Sequence, residues 1–150
     1  MYKVKMDGQT LYYPGDKEAV LTNPTLNLQT GYAGTFEFSV PPNNPLYDKI
    51  KNRSSMVSVF RDTTELFYGE VRKQPKVDRY RNKNVYCAGA MSFLADSIQP
   101  QAEYHDMTPR QMLETFLDIH NNQVEDRKKV YLGKVTITDA NTGIQTLRTR

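Results

Sequence analysis

Through the first ninety positions apolar and polar residues alternate largely with period two, the pattern of strands with one buried face. Tyr2, Val4 and Met6 alternate with Lys3 and Lys5, Asp7-Gly8 supplies the dipeptide that a two-residue primed turn prefers, and Thr10 to Tyr13 runs back, so a hairpin is predicted. Pro14-Gly15-Asp16 predicts a turn. Ala19 to Leu21 followed by Leu26 and Leu28 predicts an irregular strand, broken at Asn23-Pro24, where proline removes a ladder donor; such a break belongs at a sheet edge or a bulge. Gly31 to Val40 alternates cleanly, with Phe36, Phe38 and Val40 on one face and Thr35, Glu37 and Ser39 on the other, until Pro41-Pro42 ends the strand.

Asn43-Asn44-Pro45 leads into a predicted helical turn from Leu46 to Lys51, in which Leu46, Tyr47 and Ile50 share a side. Three further strands are predicted: Ser54 to Arg61; Leu66 to Val71 after the polar connection Asp62-Thr63-Thr64; and Val85 to Ala88 after the charged stretch Lys73 to Asn84. Gly69 interrupts its side-chain row and predicts a bulge or the close approach of another backbone. The charged stretch is read as a long exposed hairpin that turns at Asn82-Lys83-Asn84. Gly89 to Ile98 shifts to helical spacing with Met91, Leu94, Ala95 and Ile98 on one face, and Pro100 stops it.

A second helix is predicted from Thr108, where Thr108-Pro109-Arg110-Gln111 is a capping-box pattern with proline at the first helical position. Met112, Leu113, Phe116, Leu117 and His120 form its apolar stripe, and Asn121-Asn122 closes it. Val130 to Leu132 and Val135 to Thr138 predict strands divided by Gly133, Asp139 to Gly143 a turn, and Ile144 to Arg150 the start of another element. Residues 101–150 thus supply too little for a core of their own, and the expectation is a main domain over 1–100 with a partial segment over 101–150 that continues in a longer chain.

Composition narrows the partners. The 150 residues carry 20 Lys and Arg against 17 Asp and Glu, a formal charge of +3, milder than the concentrated basic face of an obligate nucleic-acid binder. The single Cys87 excludes an internal disulfide and a multi-cysteine metal site, and its place in an alternating strand marks it as a small buried apolar residue. No apolar run has the length of a signal peptide core or a membrane span, so the expectation is a protein made in the cytoplasm with no membrane partner.

Candidate chemistry is sparse. His105 and His120 stand in no metal-ligand spacing, and His120, at the end of a helix, suits a dipole partner better than a catalytic base. A hydrolase built on either histidine would need a serine, cysteine or carboxylate within about 3 Å of the imidazole. No nucleophile elbow, dinucleotide or Walker pattern occurs, and the acidic pairs Asp16/Glu18 and Asp62/Glu65 fall in turns where solvated carboxylates are ordinary. Neither an enzyme nor a cofactor is expected. The basic run Arg72, Lys73, Lys76, Arg79, Arg81 and Lys83, interleaved with Tyr80 and Tyr86, carries the alternative reading, a barrel that binds single-stranded nucleic acid or carbohydrate. That reading requires Tyr68, Tyr80 and Tyr86 to share an exposed face.

Several segments, taken in order, carry a resemblance: Ala33-Gly34-Thr35-Phe36-Glu37-Phe38-Ser39-Val40-Pro41-Pro42, Asn44-Pro45-Leu46-Tyr47, Val59-Phe60-Arg61-Asp62, Phe67-Tyr68-Gly69-Glu70-Val71, Tyr86-Cys87-Ala88-Gly89 and Phe93-Leu94-Ala95-Asp96-Ser97. His120-Asn121-Asn122-Gln123-Val124 and Gly133-Lys134-Val135-Thr136-Ile137 complete it. The chain resembles the N-terminal region of tail hub proteins of long-tailed phages and prophages of Gram-positive bacteria, a family that includes tail-associated lysins. The resemblance implies a mainly β fold with short helices (α+β), an antiparallel β-barrel of the tail-hub type followed by the start of an inserted α/β domain. It further implies a virion structural protein at the tail tip or baseplate, assembled as a homotrimer whose barrels form a ring joining the tail tube to the tip. Distal tail and tail-tube proteins would be its partners, and any lysin activity would reside in C-terminal modules. The structural signature carried over is Gly34, Phe36, Phe38, Pro41, Pro42, Pro45, Tyr47, Arg61, Asp62, Gly69, Gly89, Asp96 and Ser97. The hairpin Arg79, Tyr80, Arg81, Asn82 and Lys83 is an expected protein interface.

Overall fold

Strand β1 (Tyr2–Met6) passes through Asp7 and Gly8, at φ 48° and 80°, into β2 (Gln9–Tyr12), the doubly left-handed turn that the Asp-Gly dipeptide favours. The computed structural model describes residues 1–136 and 144–148. They belong to two compact units, Met1–Met91 and Ser92–Arg150.

The first unit adds β3 (Thr22–Asn27), β4 (Thr35–Val40), β5 (Met56–Arg61), β6 (Thr64–Val71), the two-residue β7 (Lys76–Val77) and β8 (Lys83–Gly89). All pairings are antiparallel, in the order β2-β1-β5-β6-β8-β4-β3, with β7 also on β8. The expected antiparallel barrel is therefore a curled half-barrel, open between β2 and β3. β3 is an edge strand whose register shifts between Thr22 and Thr25, with Asn23 at φ 51° beside Pro24, so the expected break is both at an edge and a bulge. Phe36, Phe38 and Val40 of β4 face the core with Val57, Val59, Val85 and Cys87 from the neighbouring strands. The buried thiol has its pKa pushed up by desolvation, consistent with an inert core residue.

At the centre of this core lies Phe67 on β6. Gly69 of the same strand pairs with Gly89 of β8. A Cβ at Gly69 would lie 2.3 Å from the Ala88 carbonyl oxygen and 2.6 Å from Cζ of Phe67; one at Gly89 would lie 1.8 Å from the Ala33 carbonyl oxygen and 3.2 Å from Cε2 of Phe67. Both strands thus forgo a side chain where the Phe67 ring packs and the segment before β4 crosses, the Gly89 amide donating to the Gly34 carbonyl at 3.0 Å. The Phe36 ring packs on Phe67 (6.1 Å between centroids) and on Phe38 (4.8 Å). The expectation for Gly69 is met by close approach; the bulge in this ribbon lies between Val59 and Phe60.

The open edges are tied near one end by Asn44, a buried polar residue. Its amide nitrogen donates to the carbonyls of Leu11 (2.9 Å) on β2 and Val20 (3.0 Å) before β3, while its Oδ1 accepts from the Leu46 amide at 3.0 Å. One side chain thereby satisfies three backbone groups, two of them buried, of segments that no ladder joins. The following 3-10 turn (Tyr47–Lys49) buries Leu46 and Ile50 and packs Tyr47 against the core, as its spacing predicts.

Between Gly89 and Ile98 the helix is of 3-10 type (Ala90–Asp96), and this corrects the predicted apolar face. With three residues per turn, Ala90, Phe93 and Asp96 align; Phe93 is buried, whereas Met91, Leu94 and Ile98 are exposed.

In the second unit, α1 (Pro109–Asn121) begins with the predicted capping box: Thr108 Oγ1 accepts from the Gln111 amide (3.2 Å) and Gln111 Oε1 accepts from the Thr108 amide (2.9 Å). The strands β9 (Glu103–Met107) and β10 (Ile144–Arg148) form an antiparallel pair; the sequence pattern marks no strand at β9 and only the start of an element of unspecified type at β10. Val130 to Leu132 is not a strand, because the Val130 backbone pairs with the side-chain amide of Asn121, donating at 2.9 Å and accepting at 2.8 Å. Val135 and Thr136 are also outside any strand, while residues 137 and 138 and the whole predicted turn from 139 to 143 lie outside the described residues.

Two expected outcomes follow. Gly69→Ala and Gly89→Ala each lower the unfolding free energy by roughly 1–3 kcal/mol or more through overpacking, whereas Gly8→Ala, with open space around it, loses about 1 kcal/mol from its left-handed backbone alone; urea titration of the three variants gives the ranking. Asn44→Ala, which orphans both carbonyls, lowers stability by about 1–3 kcal/mol in the same assay.

Candidate functional site

The predicted interface hairpin is present, with its turn displaced. The reversal runs from Asp78 to Asn82, not over Asn82-Lys83-Asn84, because Lys83 and Asn84 already pair with Val77 and Lys76 in the ladder. Asp78 organises the tip as an Asx turn: Oδ1 accepts from the amides of Tyr80 and Asn82 (both 2.8 Å) and Oδ2 from the Asn82 side chain (3.1 Å). Desolvation raises the pKa of this carboxyl, but these hydrogen bonds outweigh it and hold the group below the ordinary carboxylate value. Arg81 sits at φ 66°, left-handed for a residue with a side chain; its amide donates to the Asp78 carbonyl (3.0 Å) and its carbonyl accepts the Tyr47 hydroxyl (2.6 Å). Lys83 is largely covered, its ammonium over the Tyr47 ring at 4.0 Å and hydrogen-bonded to the Tyr47 carbonyl. Arg79, Tyr80 and Arg81 remain exposed, and Asn82 is half-buried.

Cations already lie on the rings around this hairpin. The Lys73 ammonium lies 4.0 Å from the centre of the Tyr86 ring and the Arg79 guanidinium 4.6 Å from that of Tyr80. Tyr68 and Tyr86 are half-buried, so of the three tyrosines that the alternative reading needs on one exposed face, only Tyr80 is exposed. Two shallow polar troughs of about 240 and 210 Å³ share Glu37, Asn84 and Val85, and an apolar groove of about 580 Å³ lies at the open seam, lined by Tyr2, Tyr12, Leu26, Leu28 and Phe36 among others.

The signature residues have structural places. Gly34, Phe36, Gly69 and Gly89 adjoin Phe67, and Phe38 packs on Phe36. Pro41 and Pro42 follow β4, the Pro41 carbonyl accepts the Asn44 amide (3.0 Å), and Pro45 and Tyr47 flank Leu46 in the turn below. Arg61 ends β5, and Asp62, at φ 57°, makes the hairpin turn, its amide donating to the Met1 carbonyl and its carboxylate pairing with the terminal ammonium. That hydrogen bond, reinforced by the charge of the terminal ammonium, lowers the Asp62 pKa from its ordinary 3.8.

In the second unit Asp96 pairs with Lys128 at 3.0 Å. Ser97 Oγ lies 2.8 Å from Nδ1 of the buried His120, whose Nε2 lies 3.2 Å from the Lys128 carbonyl. A carbonyl only accepts, so Nε2 donates to Lys128, and the Ser97 hydroxyl stands between Nδ1 and the Leu94 carbonyl, 3.3 Å away. The pair has the distance of a nucleophile and base, yet the imidazole is fully buried with both nitrogens engaged, which is the geometry of a tie between segments. Gln123 forms a similar tie, its amide accepting from Ile98 N (3.0 Å) and donating to Ile98 O (2.9 Å). His105, exposed, is 3.2 Å from Glu103. Among the described residues no three His, Cys, Asp or Glu side chains group as a metal site, and no helix is long and apolar enough to cross a membrane.

The fold defines the class of the molecule as an antiparallel half-barrel with a short helical unit after it. Among solved structures it is similar to the crystal structure of the 43 kDa tail protein of prophage MuSo2 from Shewanella oneidensis, with a TM-score of 0.59 and 15% identity. The alignment takes in 99% of this chain and 44% of that one, so the chain spans under half of its neighbour's length. No protein-family model and no curated protein matches the sequence.

Asp62 contributes stability above its ordinary pKa that is lost as the pH falls below about 3.8 and through its lowered value, since the folded state then takes up the proton less readily. Acid titration of unfolding is expected to flatten in this window in Asp62→Asn. Asp78→Ala frees the tip, with faster amide hydrogen exchange at Tyr80 and Asn82 and unchanged exchange at Phe67.

Proposed function

We propose that this chain is a structural component of a phage tail, forming part of the hub ring that joins the tail tube to the tail tip. The observation that carries the reading is the likeness of fold over 99% of the chain to a prophage tail protein, and the ordered sequence resemblance to tail hub proteins supports it. In this reading the protein acts through surfaces. The full-length protein is a homotrimer; strand edges and the hairpin at Arg79 to Lys83 meet neighbouring copies and the tube or distal tail proteins; and the molecule resides at the tail tip or baseplate. The half-barrel favours such a role because β2 and β3 present edges that a neighbouring molecule can cover. Binding of single-stranded nucleic acid is the weaker reading, because the rings of Tyr80 and Tyr86 already carry cations. No enzymatic role is proposed for these residues.

Sedimentation equilibrium of the full-length protein tests the assembly. A mass three times that of one chain is expected; a monomer across the micromolar range, together with absence from purified tails by mass spectrometry, removes the reading.

A further inference from the structure

The geometry of the β7–β8 tip points to a preformed docking knob for a carboxylate-bearing face of a different protein, with Arg79, Tyr80 and Arg81 as its anchors. The inference deepens the hairpin's role in the proposed function and rests on that reading for the setting, though not for the chemistry. The backbone of the tip is fixed before any partner arrives. Asp78 holds it from inside by three hydrogen bonds, and the Tyr47 hydroxyl holds Arg81 from the 3-10 turn below. Arg81 keeps a left-handed backbone that ordinary side chains avoid, a local cost sustained by the surrounding hydrogen bonds. Little conformational entropy is then lost on docking.

The exposed side chains are of the kinds that anchor interfaces. Tyr80 is 66% exposed and has Arg79 stacked beside it, and Arg and Tyr are enriched among the residues that dominate binding energy. Along the stem the charges are mixed, with Glu37 in the trough beside Lys73 and Lys76 and Asp48 3.8 Å from Lys83, but at the tip Arg79 and Arg81 stand with one acidic side chain, Asp78, whose two oxygens are both committed inward. A planar guanidinium matches a carboxylate bidentately, so a face bearing Asp and Glu is the complement. Single-stranded nucleic acid also bears negative charge, but it binds such surfaces by stacking bases on open rings, and here the cations lie on the rings of Tyr80, Tyr86 and Tyr47. Stable interfaces bury about 1,000 Å² or more, so the knob is the anchor within a larger contact.

The test is photocrosslinking of the full-length protein in its native host, with p-benzoyl-phenylalanine in place of Tyr80. The expected result is an adduct with a different protein, mapped to a peptide that carries two or more Asp or Glu residues, with a yield that falls at least tenfold in the R79E/R81E background. Absence of an ultraviolet-dependent adduct overturns the inference. So does an adduct with nucleic acid, with a second copy of this chain or with an acid-poor peptide, or a yield that charge reversal leaves unchanged. An acidic partner that is not a tail component would uphold the knob and remove the tail setting, whereas protein found in tails without an adduct at position 80 would do the reverse.

Discussion

The ring of Phe67 lies where two strands have given up their side chains, and the geometry of the half-barrel follows from that vacancy. Gly69 and Gly89 face each other across β6 and β8, and either one, given a methyl group, would strike a backbone carbonyl. The room they leave is taken by the Phe67 ring and, at Gly89, by the Ala33–Gly34 crossing that leads into β4, which pairs with β8 and brings Phe36, Phe38 and Val40 to the core. Close packing makes such a slot intolerant of even one added carbon. The glycines are therefore better understood as steric requirements of one phenylalanine than as flexible points.

A sheet that curls without closing has two edges to manage. Here Asn44 joins β2 to the segment before β3 through carbonyls that no strand reaches, Asn23-Pro24 roughens the β3 edge, and an apolar groove stays open at the seam. The second unit uses the same device: Asn121, Gln123 and His120, near the end of α1, each bond backbone outside any strand with a side chain. Polar side chains in both units thus do work that ladders do elsewhere, and the residues that first look like candidate chemistry are absorbed by it.

This explains which parts of the fold are legible in the sequence. Strands with one buried face show their period at once, as β1, β4 and β5 do, and the Asp7-Gly8 turn and the Thr108 capping box declare themselves because each is a local rule. Asn44 does not, since a polar residue between prolines looks solvated until its long-range partners are known. The face of Ala90–Asp96 does not follow from a period of 3.6, because the helix winds at three. The same limit hides the His120–Ser97 tie, whose members stand 23 residues apart. The hairpin turn was readable in principle: Asp78 followed by Asn82 is an Asx signal, but the Asn-Lys-Asn run beside it drew the assignment four residues too late. The anchors Arg79, Tyr80 and Arg81 were legible as a basic, aromatic run, whereas the cations lying on its rings were not.

The functional account depends on where the half-barrel sits in an assembled particle. Electron cryomicroscopy of intact tails tests it most directly. The account predicts three copies of the chain around the tail axis at the junction of tube and tip, with the half-barrels of residues 1–91 forming part of the ring. Density at that junction that accommodates no copy of this fold, or an arrangement of copies without threefold symmetry, would contradict it.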